Sequence, residues 1–335
     1  MTHRVAVLGA GSWGTALAVH LARVGHEVRL WARDPGTVRD IHQRRANVVY
    51  LPDIHLPDSV MPTSSLEEAL SGAGLVVCSI PSHGCRTVMR AAVPHLAPGA
   101  VLVSATKGLE TDSLFRMSEV IAQEAGDAHP VAALSGPSFA LEVAQQKPTA
   151  VVVASLDSVA LETVQSDFRA PYFRVYGSND LVGVELCGAL KNVIAIAAGV
   201  VEGSGLGHNA LAALITRGLA EIARLTTAAG GRRETPAGLS GLGDLVLTCT
   251  GSLSRNRHVG VELARGRELS DIVTGMKMVA EGVKTTGAAL SLAARYDVEL
   301  PIATQMWEVL EGRIDVRSGL EALMLRRQRS EAEPA

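Results

Sequence analysis

Lys191 lies in "ELCGALKNVIAIAAG" (Glu185 to Gly199), an apolar stretch that offers a surface lysine little reason to be there. The chain has 26 arginines and five lysines (Lys107, Lys147, Lys191, Lys277, Lys284). A lysine retained in such a segment points to a compact, titratable amine rather than to generic positive charge. Partial desolvation lowers a lysine pKa from about 10.4, and a nearby carboxylate raises it again. An ammonium so held can stabilise a developing oxyanion and give it a proton. The competing reading is a lysine snorkelling at the rim of a buried helix.

Asp244 follows a "GLG" turn that can expose one carboxylate at the start of the next element, where it would pair with Lys191 or orient a substrate. Thr248, four residues on, falls on the same side as Asp244 whether the segment is helical or extended. A helix cap is the plainer role for Asp244. Ser254, Arg255 and Asn256 precede a helical run, His258 to Ala264, where free backbone N–H groups and the positive dipole end attract phosphate. Arg255 adds a fork suited to a dianion; a capped surface helix is the alternative. Lys107 ends an expected strand at the carboxyl edge of a sheet, where ligands of doubly wound folds bind.

These groups need a scaffold, and its first part is legible near the N-terminus. Gly9, Gly11 and Gly14 in "VAVLGAGSWGTALAVHLA" form G-x-G-x-x-G between an expected strand and an apolar helix, Thr15 to Val24. The glycines serve a tight turn, close approach of a pyrophosphate, and helix-on-strand packing. Ser12 and Trp13 then face the ligand with a hydroxyl and an indole N–H. At the end of the second strand, in "LWARD", Arg33 competes with Asp34; arginine there favours a 2′-phosphate, hence NADP(H), with NAD(H) also used. Strand-like runs at 4–9, 27–33, 75–81, 100–107, 131–134 and 149–155 alternate with helix-length segments, the rhythm of a parallel sheet with crossover helices.

After Gly177 the pattern turns helical. The expected organisation is α/β: a Rossmann-type doubly wound dinucleotide domain over 1–178, an all-helical substrate domain over 179–328, and a polar tail over 329–335. With 335 residues, 47% of them hydrophobic, the chain can bury a large core. A formal charge of -3 without long charged runs gives no electrostatic case for nucleic acid or a membrane surface. Polar residues are read as interrupting every apolar run before membrane-spanning length, so no membrane insertion is expected. Four scattered cysteines without a C-x-x-C pair fit a reducing compartment and a cytoplasmic location. No His/Cys cluster has metal-ligand spacing.

"GAGSWGTALA", "SATKGLE", "LSGPSFALEV", "ELCGALKNVIAIAAG", "GLGDLVLTCT" and "LSRNR", in this order, resemble the bacterial-type NAD(P)-dependent glycerol-3-phosphate dehydrogenases along nearly the whole chain. The resemblance implies reversible hydride transfer between a nicotinamide and C2 of dihydroxyacetone phosphate, giving sn-glycerol 3-phosphate for glycerophospholipid synthesis, and a homodimer. It makes Lys191 the proton donor/acceptor, with Asp244 beside it. Lys107, Gly136, Ser138, Asn192, Thr248, Ser254, Arg255 and Asn256 become substrate contacts. Ala140, Val279 and Glu281 join the glycine loop, Arg33, Lys107 and Arg255 as cofactor contacts. Two other readings stand beside this one. A related two-domain reductase acting on ketopantoate or forming opines would not need the "SRNR" clamp, and a non-catalytic dinucleotide sensor would need none of Lys107, Lys191 and Asp244.

Overall fold

The computed structural model describes residues 3–276, 278–328 and 330. The expected polar tail therefore lies outside the described residues apart from Ser330. The chain divides into two compact units, one drawn from Met1–Lys107 and Phe115–Leu181, the other from Gly108–Leu114 and Val182–Ala335. Gly108–Leu114, placed with the first 178 residues on sequence grounds, groups with the helical unit because Leu109 and Leu114 join that unit's apolar core.

The first unit is built on eight strands: β1 (Arg4–Leu8), β2 (Glu27–Trp31), β3 (Val60–Thr63), β4 (Leu75–Cys78), β5 (Val101–Ser104), β6 (Val131–Ser135), β7 (Thr149–Ser155) and β8 (Phe173–Ser178). Their spatial order is β8-β7-β6-β5-β4-β1-β2-β3. Alternation sends Val5 and Val7 to one core, with Leu17 and Leu21 of α1 (Ser12–Val24), and Ala6 and Leu8 to a second core on the opposite face, with Met89 and Ile121. From β1 the chain moves to β2 and β3 on one side and then to β4 on the other. The crevice between β1 and β4, at their carboxyl ends, is thus a topological switch point. Helix α2 (Pro35–Arg44) follows β2.

Two features depart from the sequence reading. The β6–β7 pair is antiparallel, because residues 136–148 contain only the five-residue helix Ala140–Ala144 and turn the chain back. β3 and β8 are additional strands, and both sit at sheet edges: β3 is only the four residues "VMPT", and β8 buries Phe173 alone, so neither carries a continuous apolar run. Pro62 in β3 is tolerated at such an edge.

The second unit is helical, and the helices used below are α3 (Leu181–Gly203), α4 (Gly207–Ala228), α5 (Asp244–Thr250), α6 (Arg255–Ala264), α7 (Glu281–Arg295), α8 (Pro301–Leu310) and α9 (Val316–Met324). Contrary to the sequence reading, α3 is long and apolar enough to cross a membrane, its few polar residues being too sparse to interrupt it. Its most apolar stretch is wholly buried inside the unit, so it serves as the core helix. α3 and α6 cross at backbone contact. A Cβ on Gly260 would lie 1.9 Å from the Ile196 carbonyl oxygen, and one on Gly199 would lie 1.9 Å from that of Arg257. This glycine crossing fixes the start of α6 relative to the middle of α3.

Candidate active site

In the first unit the glycine loop fits a dinucleotide. Gly9 has φ +112°, and a Cβ there would meet the Ser79 carbonyl oxygen at 2.5 Å; one on Gly14 would meet the Gly9 oxygen at 1.8 Å. A Cβ on Gly11, in contrast, would enter open space, as close approach of a pyrophosphate requires. The buried Trp13 Nε1 has no hydrogen-bond partner among the described residues, and an indole N–H in that state calls for an acceptor. Ser12 behaves differently from expectation: its hydroxyl donates to the Tyr50 carbonyl at 2.7 Å, tying residues 47–50 to the loop. Asn47 completes the tie by donating to the Ala10 carbonyl at 2.9 Å and to Thr15 Oγ1 at 2.8 Å. These braces lie more than thirty residues from the loop in sequence, and no local pattern announces them.

Of the two candidates at the end of β2, Asp34 forms a helix cap. Asp34 accepts from Gly36 N at 3.0 Å and Thr37 N at 2.9 Å, closing the start of α2, and these bonds hold its carboxyl below the usual aspartate value. The readable signal was Asp before Pro, an N-cap followed by N1. Arg33 stays exposed.

At the carboxyl ends of β5 and β6, three expected residues converge on one atom. Lys107 Nζ donates to the Gly136 carbonyl at 2.8 Å, and Ser138 Oγ donates to the same oxygen at 3.1 Å. Ala140 opens the short helix that follows and is half-buried.

The densest chemistry is in the helical unit. Lys191, 6% exposed, points from the middle of α3 to Asp244, 1% exposed, at the start of α5. Its Nζ donates to Asp244 Oδ1 at 3.0 Å and to Thr248 Oγ1 at 2.6 Å. Thr248 in turn donates to the Asp244 carbonyl at 2.6 Å, so its lone pair faces the amine. Gly243 N reaches back five residues to the Gly238 oxygen at 3.1 Å, and this wide turn delivers Asp244 to the first turn of α5 with its carboxylate engaged by lysine rather than by a cap. Taking each ion alone from water costs several kcal/mol, which mutual attraction and the threonine bond offset. Cys249 next door is no rival nucleophile: burial pushes its thiol up to about 12, although Lys191 pulls the other way.

A second cluster forms where α6 and α7 begin. Ser254 caps α6, accepting from Arg257 N at 3.2 Å, so the cap reading is realised for this residue. Asn256 accepts from Gly282 N at 3.0 Å and donates to Asn192 Oδ1 at 2.9 Å, joining α6, α7 and the residue after Lys191. Crowding by the surrounding protein lowers the Arg255 guanidinium from its usual value and Glu281 opposes that shift, while the side chain keeps an exposed edge. Val279 is half-buried just before α7. The fourth residue of "SRNR", Arg257, forms an ion pair with Glu202 of α3.

Family models described as NAD-dependent glycerol-3-phosphate dehydrogenase N-terminus and C-terminus match residues 4–160 and 180–321. A protein of Koribacter versatilis named glycerol-3-phosphate dehydrogenase (NAD(P)+) is 54% identical over 327 residues, covering 96% of this chain and 97% of its own. One of the same name from Syntrophotalea carbinolica is 52% identical over 331 residues, covering 98% and 99%. The crystal structure of glycerol-3-phosphate dehydrogenase from Coxiella burnetii superposes with a TM-score of 0.94 at 40% identity, covering 97% of this chain and 99% of that one.

Proposed function

The chain belongs to the NAD-dependent glycerol-3-phosphate dehydrogenase family, and from that premise we propose that it reversibly reduces dihydroxyacetone phosphate to sn-glycerol 3-phosphate. The observation that carries this reading is the buried Lys191–Asp244–Thr248 group, a proton source held for a carbonyl, in the same unit as the anion-attracting start of α6. A bound nicotinamide dinucleotide supplies the hydride to C2. Lys191 hydrogen-bonds the C2 oxygen, stabilises the charge that develops there, and passes it a proton to complete the alcohol. Asp244 and Thr248 orient the amine and favour its charged form.

Arg255, with the backbone N–H groups at the start of α6, takes the substrate phosphate, and Asn192 and Asn256 support it through their shared hydrogen bond. Lys107, Gly136 and Ser138 are assigned to the substrate as well. Gly9, Gly11, Ser12, Trp13, Gly14, Arg33, Ala140, Val279 and Glu281 are assigned to the dinucleotide, with Lys107 and Arg255 serving both ligands. Since Asp34 is committed to its cap, Arg33 is left to meet a 2′-phosphate, and NADPH is favoured over NADH. The location assigned is a reducing cytoplasm, in keeping with four buried cysteines that are not joined in disulfides. A homodimer serving glycerophospholipid synthesis completes the proposal.

The test is NAD(P)H oxidation with dihydroxyacetone phosphate, ketopantoate and pyruvate offered separately. Turnover confined to the first is the expected result. Preference for ketopantoate or pyruvate, or binding of the dinucleotide without turnover of any of the three, would defeat the proposal.

A further inference from the structure

Two buried hydroxyls stand just before the Lys107–Gly136 tie. Ser104 ends β5 and Ser135 ends β6, they are 1% and 4% exposed, and the Oγ of each has no hydrogen-bond partner among the described residues. Alternation puts them on one face of the sheet. Val103 and Leu134 point into the first core with Val5 and Val7. Ser104 and Ser135 therefore point to the opposite face, where Leu102 and Val131 pack with Met117 and Ile121 of the helix Met117–Ala125. Ser104 stands opposite Ala133, two residues short of Ser135. A strand spacing of about 4.8 Å and a rise of about 3.3 Å per residue put such diagonal neighbours about 8 Å apart at Cα. That is too far for a direct bond between hydroxyls and, with both turned toward each other, within the span of one small bridging molecule.

Chemistry selects that molecule. A hydroxyl taken out of water into a core without a partner is destabilising, and two of them facing one space are doubly so. Both groups are neutral, and each can donate or accept. Their sheet neighbours Cys78, Ala133 and Val152 bring no charge, so an ion finds nothing there to pair with, whereas a water molecule finds two polar partners.

We propose that one buried water bonds Ser104 Oγ and Ser135 Oγ, and that the two serines are thereby positioning residues for the substrate site. Lys107 lies three residues beyond Ser104, and Gly136, whose carbonyl accepts from Lys107 Nζ at 2.8 Å, directly follows Ser135. This outer tie breaks when Lys107 turns to a substrate, and the inner, water-mediated tie holds both strand ends in place while it does. The positioning role rests on the reading of Lys107 and Gly136 as substrate contacts; the water does not.

A crystal structure of the full chain at a resolution that shows ordered solvent should place one water within hydrogen-bonding distance of both hydroxyls. Ser104→Ala and Ser135→Ala should each lower the folding equilibrium constant by roughly tenfold, since each leaves the other hydroxyl short of a partner, and the double variant should lose little more than either alone. Each single variant should also raise KM for dihydroxyacetone phosphate by roughly three- to tenfold, the worth of one hydrogen bond, with kcat and NADPH affinity nearly unchanged. Ser155→Ala is the control. Ser155 is buried at the amino end of β6 and donates to the Val131 carbonyl at 2.8 Å, so its loss should lower stability and leave KM where it was. Hydroxyls bonded to separate groups without a shared water, additive losses in the double variant, or a KM unmoved by either serine change or moved as much by Ser155→Ala would overturn the inference. The water and the stability cycle are read without substrate, so a chain that failed to reduce dihydroxyacetone phosphate would defeat the functional reading and leave those two measurements to decide the site.

Discussion

Lys191 and Asp244 form a buried ion pair, Nζ to Oδ1 3.0 Å, that joins the middle of the core helix α3 to the first turn of α5. Such a pair is costly to break from one side, since the remaining charge stays buried and uncompensated, at about 3–5 kcal/mol. Lys191→Met and Asp244→Leu should therefore each lower stability by that order. The double variant should regain most of the loss, giving a large positive coupling in a denaturation cycle. Additive losses would mean that the two side chains do not share one energetic unit.

Arg255→Ala should impair dihydroxyacetone phosphate far more than unphosphorylated dihydroxyacetone. One charge-assisted hydrogen bond of this kind is worth about 1.5–3 kcal/mol, or roughly ten- to a hundredfold in kcat/KM. Equal losses on both substrates would make Arg255 a structural residue and move the phosphate site elsewhere.

Cofactor choice should follow Arg33. Arg33→Asp is expected to shift the kcat/KM ratio toward NADH, by removing a cation and placing a carboxylate where the 2′-phosphate would lie. Both ratios should be measured at one salt concentration, because screening weakens exposed charge contacts. A wild type that prefers NADH, or a ratio unmoved by the substitution, would show that Arg33 has no part in the choice.

Two buried groups set opposing trends in stability against pH. Burial lowers His20 to about 4, with its Nε2 2.8 Å from the Phe168 carbonyl oxygen. Between about 6.5 and 4 the unfolded chain binds the extra proton, so this contribution is complete above pH 6.5 and shrinks by about 1.4 kcal/mol per unit as pH falls. Burial raises Glu221 to about 7, against the pull of its bonds from Ile302 N at 2.6 Å and Ala303 N at 3.3 Å. Its contribution is complete below about pH 4.5 and is lost as pH rises through 7. The stability difference between wild type and His20→Gln should therefore move in the wild type's favour as pH rises, and that for Glu221→Gln against it. Flat differences for both variants would contradict the buried titrations.

Much of the fold and site was legible because the signals are local. The glycine loop, the apolar run around Lys191 and the "GLGD" turn each occupy one short stretch, and Asp244 and Thr248 lie one helical turn apart. What escaped is long-range or marginal. Edge strand β3 is four residues long with Pro62 inside it, and β8 buries only Phe173, so neither shows a periodicity. The antiparallel return of β7 depends on how little helix separates it from β6, not on its own composition. The bracing of the glycine loop by Asn47 and Tyr50, and the Asn192–Asn256–Gly282 chain, require residues distant in sequence to meet. The crossing of α3 and α6 did leave a trace, since Gly199 and Gly203 stand four apart on one helix face.

The central claim is that Lys191 acts on the substrate oxygen and not on the dinucleotide. Single-turnover reduction of dihydroxyacetone phosphate by wild type and Lys191→Met, with NADPH affinity of each variant measured by fluorescence titration, tests it most directly. The chemical rate should fall by about 10²–10⁴-fold with NADPH affinity nearly unchanged. A folded Lys191→Met variant that turns over at close to the wild-type rate, or one whose loss is confined to NADPH binding, would contradict it.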